Sequence, residues 1–393
     1  MTKYGFFGGS FDPFHTGHLS IVNGALESGA VDELFVVPAG TSPFKSENRA
    51  SLAPYRYYMT CEVLQDIKAC RVLPTELLRS GISYTIDTVK QLKKDMNISP
   101  NDQFFLLCGT DILLSFEKWY KVSELLQEAE LLIASRPGVL SEEAKSACDR
   151  IENIYPTKLH FFPTEHIRVS SSEVKKLRDF HELPECVIRF IQLHDLYPEE
   201  NPLQFISEKV YEKAMCWIPD LFSDLSRKRM LHSLNVALQA VKYARKHQLS
   251  PDKAFVAGLL HDCTKGFSIK KQRALAKNLG DFDREDDAII HALAGAYYAK
   301  IHYGVENEEI LQAIYYHTIG RDTMTPLEKI VFLADKLEPA RNYSDLTIMR
   351  KLAFENIDEA MILALQEIKE VFAKYDAPFH SSTQAALDSL TVK

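Results

Sequence analysis

Six short apolar runs punctuate the first 190 or so residues, and no comparable run follows residue 205. They are YGFF (4–7), ELFVVPAG (33–40), CRVLPTE (70–76), QFFLLCGTD (103–111), AELLIASRPG (129–138) and KLHFFPTE (158–165). Runs this short, bounded by Gly and Pro, read as buried strands, with helix-length segments between them. Such alternation builds βαβ units, and their right-handed crossovers give a parallel, doubly wound sheet. From about 205 the period changes to that of a helix. HSLNVALQAVKYARKH (232–247) puts Val236, Ala237, Ala240, Val241 and Ala244 on one stripe. AFVAGLLHD, AIIHALAGAYYAKI, ILQAIYYH and LEKIVFLADKLEP read the same way. The expectation is an α/β Rossmann-like domain over 1–198, a linker at 199–204 within LYPEENPLQ, and an all-α helical bundle over 205–393.

Composition narrows the partners. A net charge of −8 and an isoelectric point near 5.9, with no basic run, argue against nucleic acid and for small molecules. The seven cysteines are scattered and never form CxxC, the pattern of reduced thiols in a cytoplasmic protein. No signal segment is expected at the start, and no apolar stretch approaches the ~18 residues that span a membrane. A homo-oligomer is compatible with all of this.

GGSFDPFHTGHL (8–19) follows the first strand. Gly8 and Gly9 let backbone N–H groups approach an anion, and a helix expected to begin near Gly17–His18 adds its positive end. His15 and His18, either side of Gly17, are expected to leave room for a phosphate between two donors that stabilise charge on a phosphoryl group in flight. Strand-end ligand sites of this kind belong at the switch point of a doubly wound sheet.

This stretch resembles the signature of the HxGH nucleotidyltransferases, and the first half resembles nicotinate-mononucleotide adenylyltransferase in particular. The segments SYTIDTV (83–89), GTDILLSFEKWYK (109–121), SRPG (135–138) and VSSSEVKKL (169–177) follow in the family's order. The resemblance implies AMP transfer from ATP, with its Mg²⁺, to nicotinate mononucleotide, giving nicotinate adenine dinucleotide and pyrophosphate in NAD biosynthesis. It casts His15, His18 and Lys45 as catalytic. It assigns Gly8, Gly9, Ser10, Phe11, Gly109 and Arg136 to substrate binding. Tyr84 and Thr85 would bind the pyridine carboxylate, Trp119 would stack on the ring, and Asp111 would take a ribose hydroxyl. Ser170, Ser171 and Lys175 would face ATP. Two positions depart from the family: Phe44 stands where Pro-His-Lys has histidine, and Lys175 replaces an arginine, keeping charge but losing the bidentate fork.

The second half carries His232, His261-Asp262, His291, His317 and Asp335 at or near the ends of apolar helical runs. Neighbours on a helix point about 100° apart, so His261 and Asp262 share a metal only where helices converge. Imidazole with carboxylate suits Fe, Mn, Zn or Co. The order H…HD…H…H…D resembles the HD-domain phosphohydrolases. HSLNVA, AGLLHDCTK, HALAGA, YHTIGRDTM and ADKLEPAR resemble the symmetrical diadenosine-tetraphosphate hydrolases. That resemblance implies a divalent transition metal, iron first, held by His232, His261, Asp262 and Asp335, with Asp262 catalytic. His291 and His317 would bind phosphate or a second metal, and Lys265 and Arg341 would neutralise phosphate oxygens. Water activated by the metal would cleave diadenosine tetraphosphate to ADP. A nucleotide-sensing regulatory module, or hydrolysis of another nucleotide, is the alternative for this half. Histidines 160, 166, 181, 194, 247, 302 and 380 match no motif and read as structural or surface residues.

Overall fold

Each of the six apolar runs marks a strand: β1 (Lys3–Gly9), β2 (Glu33–Pro38), β3 (Cys70–Val72), β4 (Gln103–Gly109), β5 (Glu130–Ser135) and β6 (Leu159–Pro163). The structure, a computed structural model, describes residues 1–40, 49–135, 140–165, 169–280, 282 and 286–391, with the backbone alone for Asp111. It divides into two units, Met1–Gln192 and Leu193–Lys393.

In the first unit the strands pair in parallel in the order β3-β2-β1-β4-β5-β6. The connecting helices are α1 (Thr16–Glu27), α2 (Ala53–Leu64), α3 (Thr85–Asp95), α4 (Thr110–Leu113), α5 (Val122–Glu128) and α6 (Glu142–Ile154), followed by α7 (Ser171–Leu177) and α8 (Glu185–His194). Side chains alternate across the sheet as the pleat requires. Phe35 and Val37 of β2 join Phe6, Leu106 and Ile133 in one core, while Leu34 and Val36 join Phe7, Leu107 and Leu132 in the other. Both faces are covered, which is why the strands read as unbroken apolar runs. The order of the strands reverses between β1 and β4. The loops after Gly9 and Gly109 therefore open at the same switch point.

The described part of the second unit beyond α8 is helical: α9 (Glu208–Asp224), α10 (Arg227–Lys246), α11 (Pro251–Leu260), α12 (Ile269–Ala276), α13 (Asp287–Ile301), α14 (Glu308–Tyr316), α15 (Pro326–Leu337), α16 (Thr347–Glu355), α17 (Ile357–Lys374) and α18 (Ser381–Thr391). Local sequence sets the starts. Ser207, Ser226, Ser250, Ser268 and Asn307 each cap a first turn with their side chains. Thr325 and Glu328 form a capping box around Pro326. Helices α10 and α11 approach so closely that a Cβ on Gly258 would lie 2.7 Å from Ala237 Cα.

Residues 199–204 are not a free linker. Asn201 caps a 3-10 turn over Pro202–Phe205, Leu203 is buried, and Arg245 pairs with Glu200 while lying over the Phe205 ring. The Pro- and Glu-rich composition marks a turn, and this turn docks on α10 because Leu203 and Phe205 supply an apolar side. Among the described residues no helix is long and apolar enough to cross a membrane. None of the seven cysteines is in a disulfide.

Gly258→Ala is expected to push α10 from α11 and destabilise the second unit by about 1–3 kcal/mol, the usual cost of overpacking. A thermal melt of the variant checks this; an unchanged or raised midpoint would show that the crossing has slack.

Candidate functional site

The loop after β1 does not hold its imidazoles apart. Helix α1 starts at Thr16, earlier than expected, so His15 is the N-cap and His18 sits in the first turn. The two side chains cap each other's backbone: His18 N–H donates to His15 Nδ1 at 3.3 Å, and His15 N–H donates to His18 Nδ1 at 3.2 Å. The rings stack with centroids 3.6 Å apart. The expected phosphate-sized gap between the rings is absent. Gly17 serves this stack, because a Cβ there would lie 3.1 Å from His15 Nδ1.

Because each Nδ1 accepts a backbone N–H, each neutral ring carries its proton on Nε2. Burial pushes the His15 pKa down to about 4. Burial, then the neighbouring His15, holds His18 well below the usual imidazole value. The pair is thus two neutral N–H donors rather than two cations. Phe7, Phe11 and Phe14 surround the His18 ring at centroid distances of 6.1, 4.9 and 5.2 Å. Phe11 is fully buried in that cage, so its side chain packs against His18 and does not reach a ligand.

Gly8, Gly9 and Ser10 stay accessible at the strand end. Ser170 caps α7 by accepting from Glu173 N–H at 3.2 Å, and Ser171 donates to the Pro13 carbonyl at 3.0 Å. Lys175 forms an ion pair with the buried Asp12 at 2.7 Å, so its charge is already matched within the protein. Gly109 precedes α4 as its N-cap. Trp119 follows a 3-10 turn over Phe116–Lys118 and packs with Tyr84 against the same core, and Tyr84 meets Tyr120 at 4.3 Å between centroids. Thr85 opens α3 beside Tyr84. Lys45 with Phe44, Arg136 and the Asp111 side chain lie outside the described residues.

Three residues that sequence reasoning missed organise these loops. Asp12 lies within the signature itself. Arg56 is buried on α2 and donates to the carbonyls of Ser10 at 2.7 Å, Gly40 at 3.1 Å and Ser51 at 2.9 Å. A lone arginine inside APYRYYMTCEVL was the available signal, since a buried cation needs acceptors. Glu76 takes Gly40 N–H at 3.1 Å and the Thr88 hydroxyl at 2.7 Å.

The second unit brings its predicted residues together from five helices. His232 lies on α10, His261 and Asp262 at the end of α11, His291 on α13, His317 at the end of α14 and Asp335 on α15. His232 Nε2 is 3.0 Å from Asp335 Oδ1 and 3.2 Å from His261 Nε2. Asp262 lies 3.7 Å from His261 Nε2 through one oxygen and 3.8 Å from His317 Nε2 through the other. Two triads have ligand atoms within 4.8 Å of one another: His232, His261 and Asp335, and His261, Asp262 and His317.

The outer ring nitrogens explain this convergence. His261 Nδ1 donates to Gly258 O at 2.7 Å, His317 Nδ1 to Ile314 O at 2.6 Å, and His232 Nδ1 to Glu338 Oε1 at 3.2 Å. Each Nε2 is thereby turned inward as the atom that can ligate. His291 differs. Lys265 Nζ reaches both of its ring nitrogens, Nδ1 at 2.9 Å and Nε2 at 3.3 Å, and Nε2 lies 3.3 Å from Asp262 Oδ1. Burial lowers His261 to about 4. Burial opposes charge on Asp262 and Asp335, but His261 with the His291 hydrogen bond in one case, and Lys336 with His232 in the other, outweigh it and hold both carboxyls well below their usual range. Buried carboxylates facing imidazole lone pairs fit a divalent cation.

Basic side chains ring the cluster. Arg229 donates to Asp262 at 2.9 Å, Lys336 and Arg341 to Asp335 at 2.6 and 2.8 Å, and Lys265 reaches His291. Arg229, Lys336, Glu338 and Thr318, whose hydroxyl is 3.1 Å from His317 Nε2, were not foreseen. For Glu338 a signal existed, because it stands three residues after Asp335.

These two arrangements define a nucleotidyltransferase-type sheet with a neutral His pair at its switch point, and a helical unit with a closed N/O ligand cluster. Residues 6–177 match the cytidylyltransferase-like family and residues 229–340 match the HD domain. A Shouchella clausii protein named "Probable nicotinate-nucleotide adenylyltransferase" is 35% identical over 208 residues, 51% of this chain and all of that protein. The chain belongs to the nicotinate-nucleotide adenylyltransferase family and carries an HD domain behind it. A Mycoplasma pneumoniae protein named "Probable nicotinate-nucleotide adenylyltransferase/Ap4A hydrolase" is 27% identical across 93% of this chain and 98% of its own length. A Clostridium acetobutylicum structure, titled an HD superfamily hydrolase involved in NAD metabolism, is 33% identical and covers 44% of this chain and 93% of that one, with a TM-score of 0.42.

A neutral His15 adds stability that is complete above the free imidazole value of 6.5 and is lost as pH falls from there toward about 4. For a residue only 7% exposed that loss is on the order of 3 kcal/mol. An NMR titration of the ring is expected to show its midpoint near 4. A midpoint at the free value would mean that the stack is solvated.

Proposed function

We propose that the first unit transfers AMP from ATP to nicotinate mononucleotide and that the second hydrolyses diadenosine tetraphosphate symmetrically. For the first, the supporting observation is the pair of Nε2–H donors fixed beside an accessible Gly8-Gly9-Ser10 backbone. An oxygen of the mononucleotide's 5′-phosphate attacks the α-phosphorus of ATP, the bond to the bridging oxygen breaks, and pyrophosphate leaves with that oxygen. His15 and His18 donate to the phosphoryl oxygens as charge spreads over them, with Lys45 and the Mg²⁺ that accompanies ATP neutralising the remainder. Trp119 stacks on the pyridine, Tyr84 and Thr85 bind its carboxylate, and Asp111 holds a ribose. Arg136, Gly109, Ser170 and Ser171 line the ATP side. Lys175 contributes by holding Asp12, and through it the signature loop.

For the second unit the supporting observation is the inward convergence of three imidazole Nε2 atoms on two buried carboxylates. His232, His261, Asp262 and Asp335 would hold a divalent transition metal, with iron the first choice and Mn, Zn or Co the alternatives. His317 completes the second triad. When bound, such an ion supplies Lewis acidity and lowers the pKa of water. Arg229, Lys265, Lys336 and Arg341 provide positive charge for a polyphosphate, and His291 keeps Asp262 oriented. Water adds to one of the two middle phosphorus atoms, the bond to their shared oxygen breaks, and two ADP molecules result. Both substrates and the lack of disulfides suit a cytoplasmic protein.

His15→Ala is expected to reduce adenylyl transfer by about 10²–10³-fold, the loss seen when one preorganised donor is removed, while leaving hydrolysis intact. Asp262→Ala is expected to do the converse. Chromatography of products from each substrate checks both, and ATP plus AMP in place of ADP would refute symmetric cleavage. A chelator followed by Mg²⁺ is expected to restore the first activity only.

A further inference from the structure

Behind His232 runs a buried polar chain that no part of the proposed chemistry uses. Glu338 is 3% exposed, yet both of its carboxylate oxygens are occupied. Oε1 accepts from His232 Nδ1 at 3.2 Å, and Oε2 accepts from the Asn235 amide and from Ala340 N–H, each at 2.7 Å. Asn235 stands three residues after His232 on α10, on the same helix face. Its amide lies within 3.2 Å of His194 Nδ1, and His194 and Asn235 are themselves buried. The chain thus joins residues 194, 232, 235 and 338, which are far apart in sequence, behind one ring nitrogen.

An isolated buried carboxylate is costly, so a charge kept here needs partners that fix its position. Those partners fix direction as well as charge. Asn235 and Ala340 hold Oε2, which leaves Oε1 aimed at His232 Nδ1. A carboxylate on the outer nitrogen makes the inner nitrogen a stronger donor to a cation and stops the ring from turning. His261 and His317 have only backbone carbonyls in that place.

We propose that Glu338, held by Asn235 and His194, is the positioning residue that makes His232 the strongest imidazole ligand of the cluster. This rests on the reading of the cluster as a metal site. Glu338 touches neither substrate nor ion, so its effect belongs in affinity for the ion and in the state of the His232 ring.

The test uses the full chain and Mn²⁺ as probe, with binding followed by titration calorimetry. Glu338→Gln is expected to weaken Mn²⁺ binding by about 10–100-fold with an unchanged circular dichroism spectrum. Asn235→Leu, which keeps the carboxylate but frees it to rotate, is expected to weaken binding by a smaller factor, and it decides the matter should the Glu338 variant not fold. In the Zn²⁺-loaded protein the His232 Nδ1 proton is expected far downfield and moves upfield in Glu338→Gln, a change that loss of packing alone would not produce. If Asp335→Ala abolishes Mn²⁺ binding while both relay variants bind as wild type does, the relay is refuted and the metal site stands. If Asp335→Ala binds as tightly as wild type, the metal reading fails and the relay falls with it.

Discussion

Which ring nitrogen of a histidine carries the proton decides what each unit offers a ligand, and in four of these side chains the end of a helix makes that decision. A helix begins with N–H groups that lack partners and finishes with C=O groups that lack them. His15 and His18 sit at the start of α1, so their Nδ1 atoms meet donors and accept. His261 and His317 sit at the ends of α11 and α14, so their Nδ1 atoms meet carbonyls and donate. The same imidazole thus exposes an Nε2–H in the first unit and an Nε2 lone pair in the second. Burial keeps His15, His18, His261 and His317 neutral, which preserves the distinction.

The two polarities call for different surroundings. A donor pair is complete in itself and can sit beside glycines whose own N–H groups add to it, with aromatic rings rather than charges around it. A ring of lone pairs facing Asp262 and Asp335 is an accumulation of electron density that only a cation resolves, and basic side chains around it are the next requirement. Arg229, Lys336 and Arg341 meet it by direct contact with the two carboxylates. The cation-rich rim matches the charge of the phosphate chain proposed as its substrate.

The strands and helices were legible in the sequence because the central strands are buried on both faces and most helices of the second unit start on a side-chain cap. The docked turn at 199–204 was not, since composition reports a turn without reporting that Leu203 and Phe205 give it an apolar side. The His15–Gly17–His18 spacing showed that something must approach the helix start closely, but whether a ligand or a ring fills that space is set by rotamer. The rings fill it. Lys175 was legible as a cation near the signature, yet its partner Asp12 is 163 residues away, and pairing at that range leaves no local trace. Among the helical residues the cluster was readable as a pattern of types, whereas the approach of Lys265 to both ring nitrogens of His291 leaves no local trace in the sequence.

His291 and His232 mark where the helix-end rule stops. Both lie within helices, where every nearby carbonyl and amide is already paired, so no backbone group is left to choose the proton's place. A side chain must choose instead. Lys265 stands against both ring nitrogens of His291, and Glu338 accepts from His232 Nδ1 and leaves Nε2 facing Asp335. A mid-helix histidine is therefore set by a charged side chain, and a carboxylate on Nδ1, as at His232, leaves Nε2 as the inward lone pair. His232 enters from the interior of a long helix, so Glu338 is the condition on which the cluster has a third inward imidazole at all.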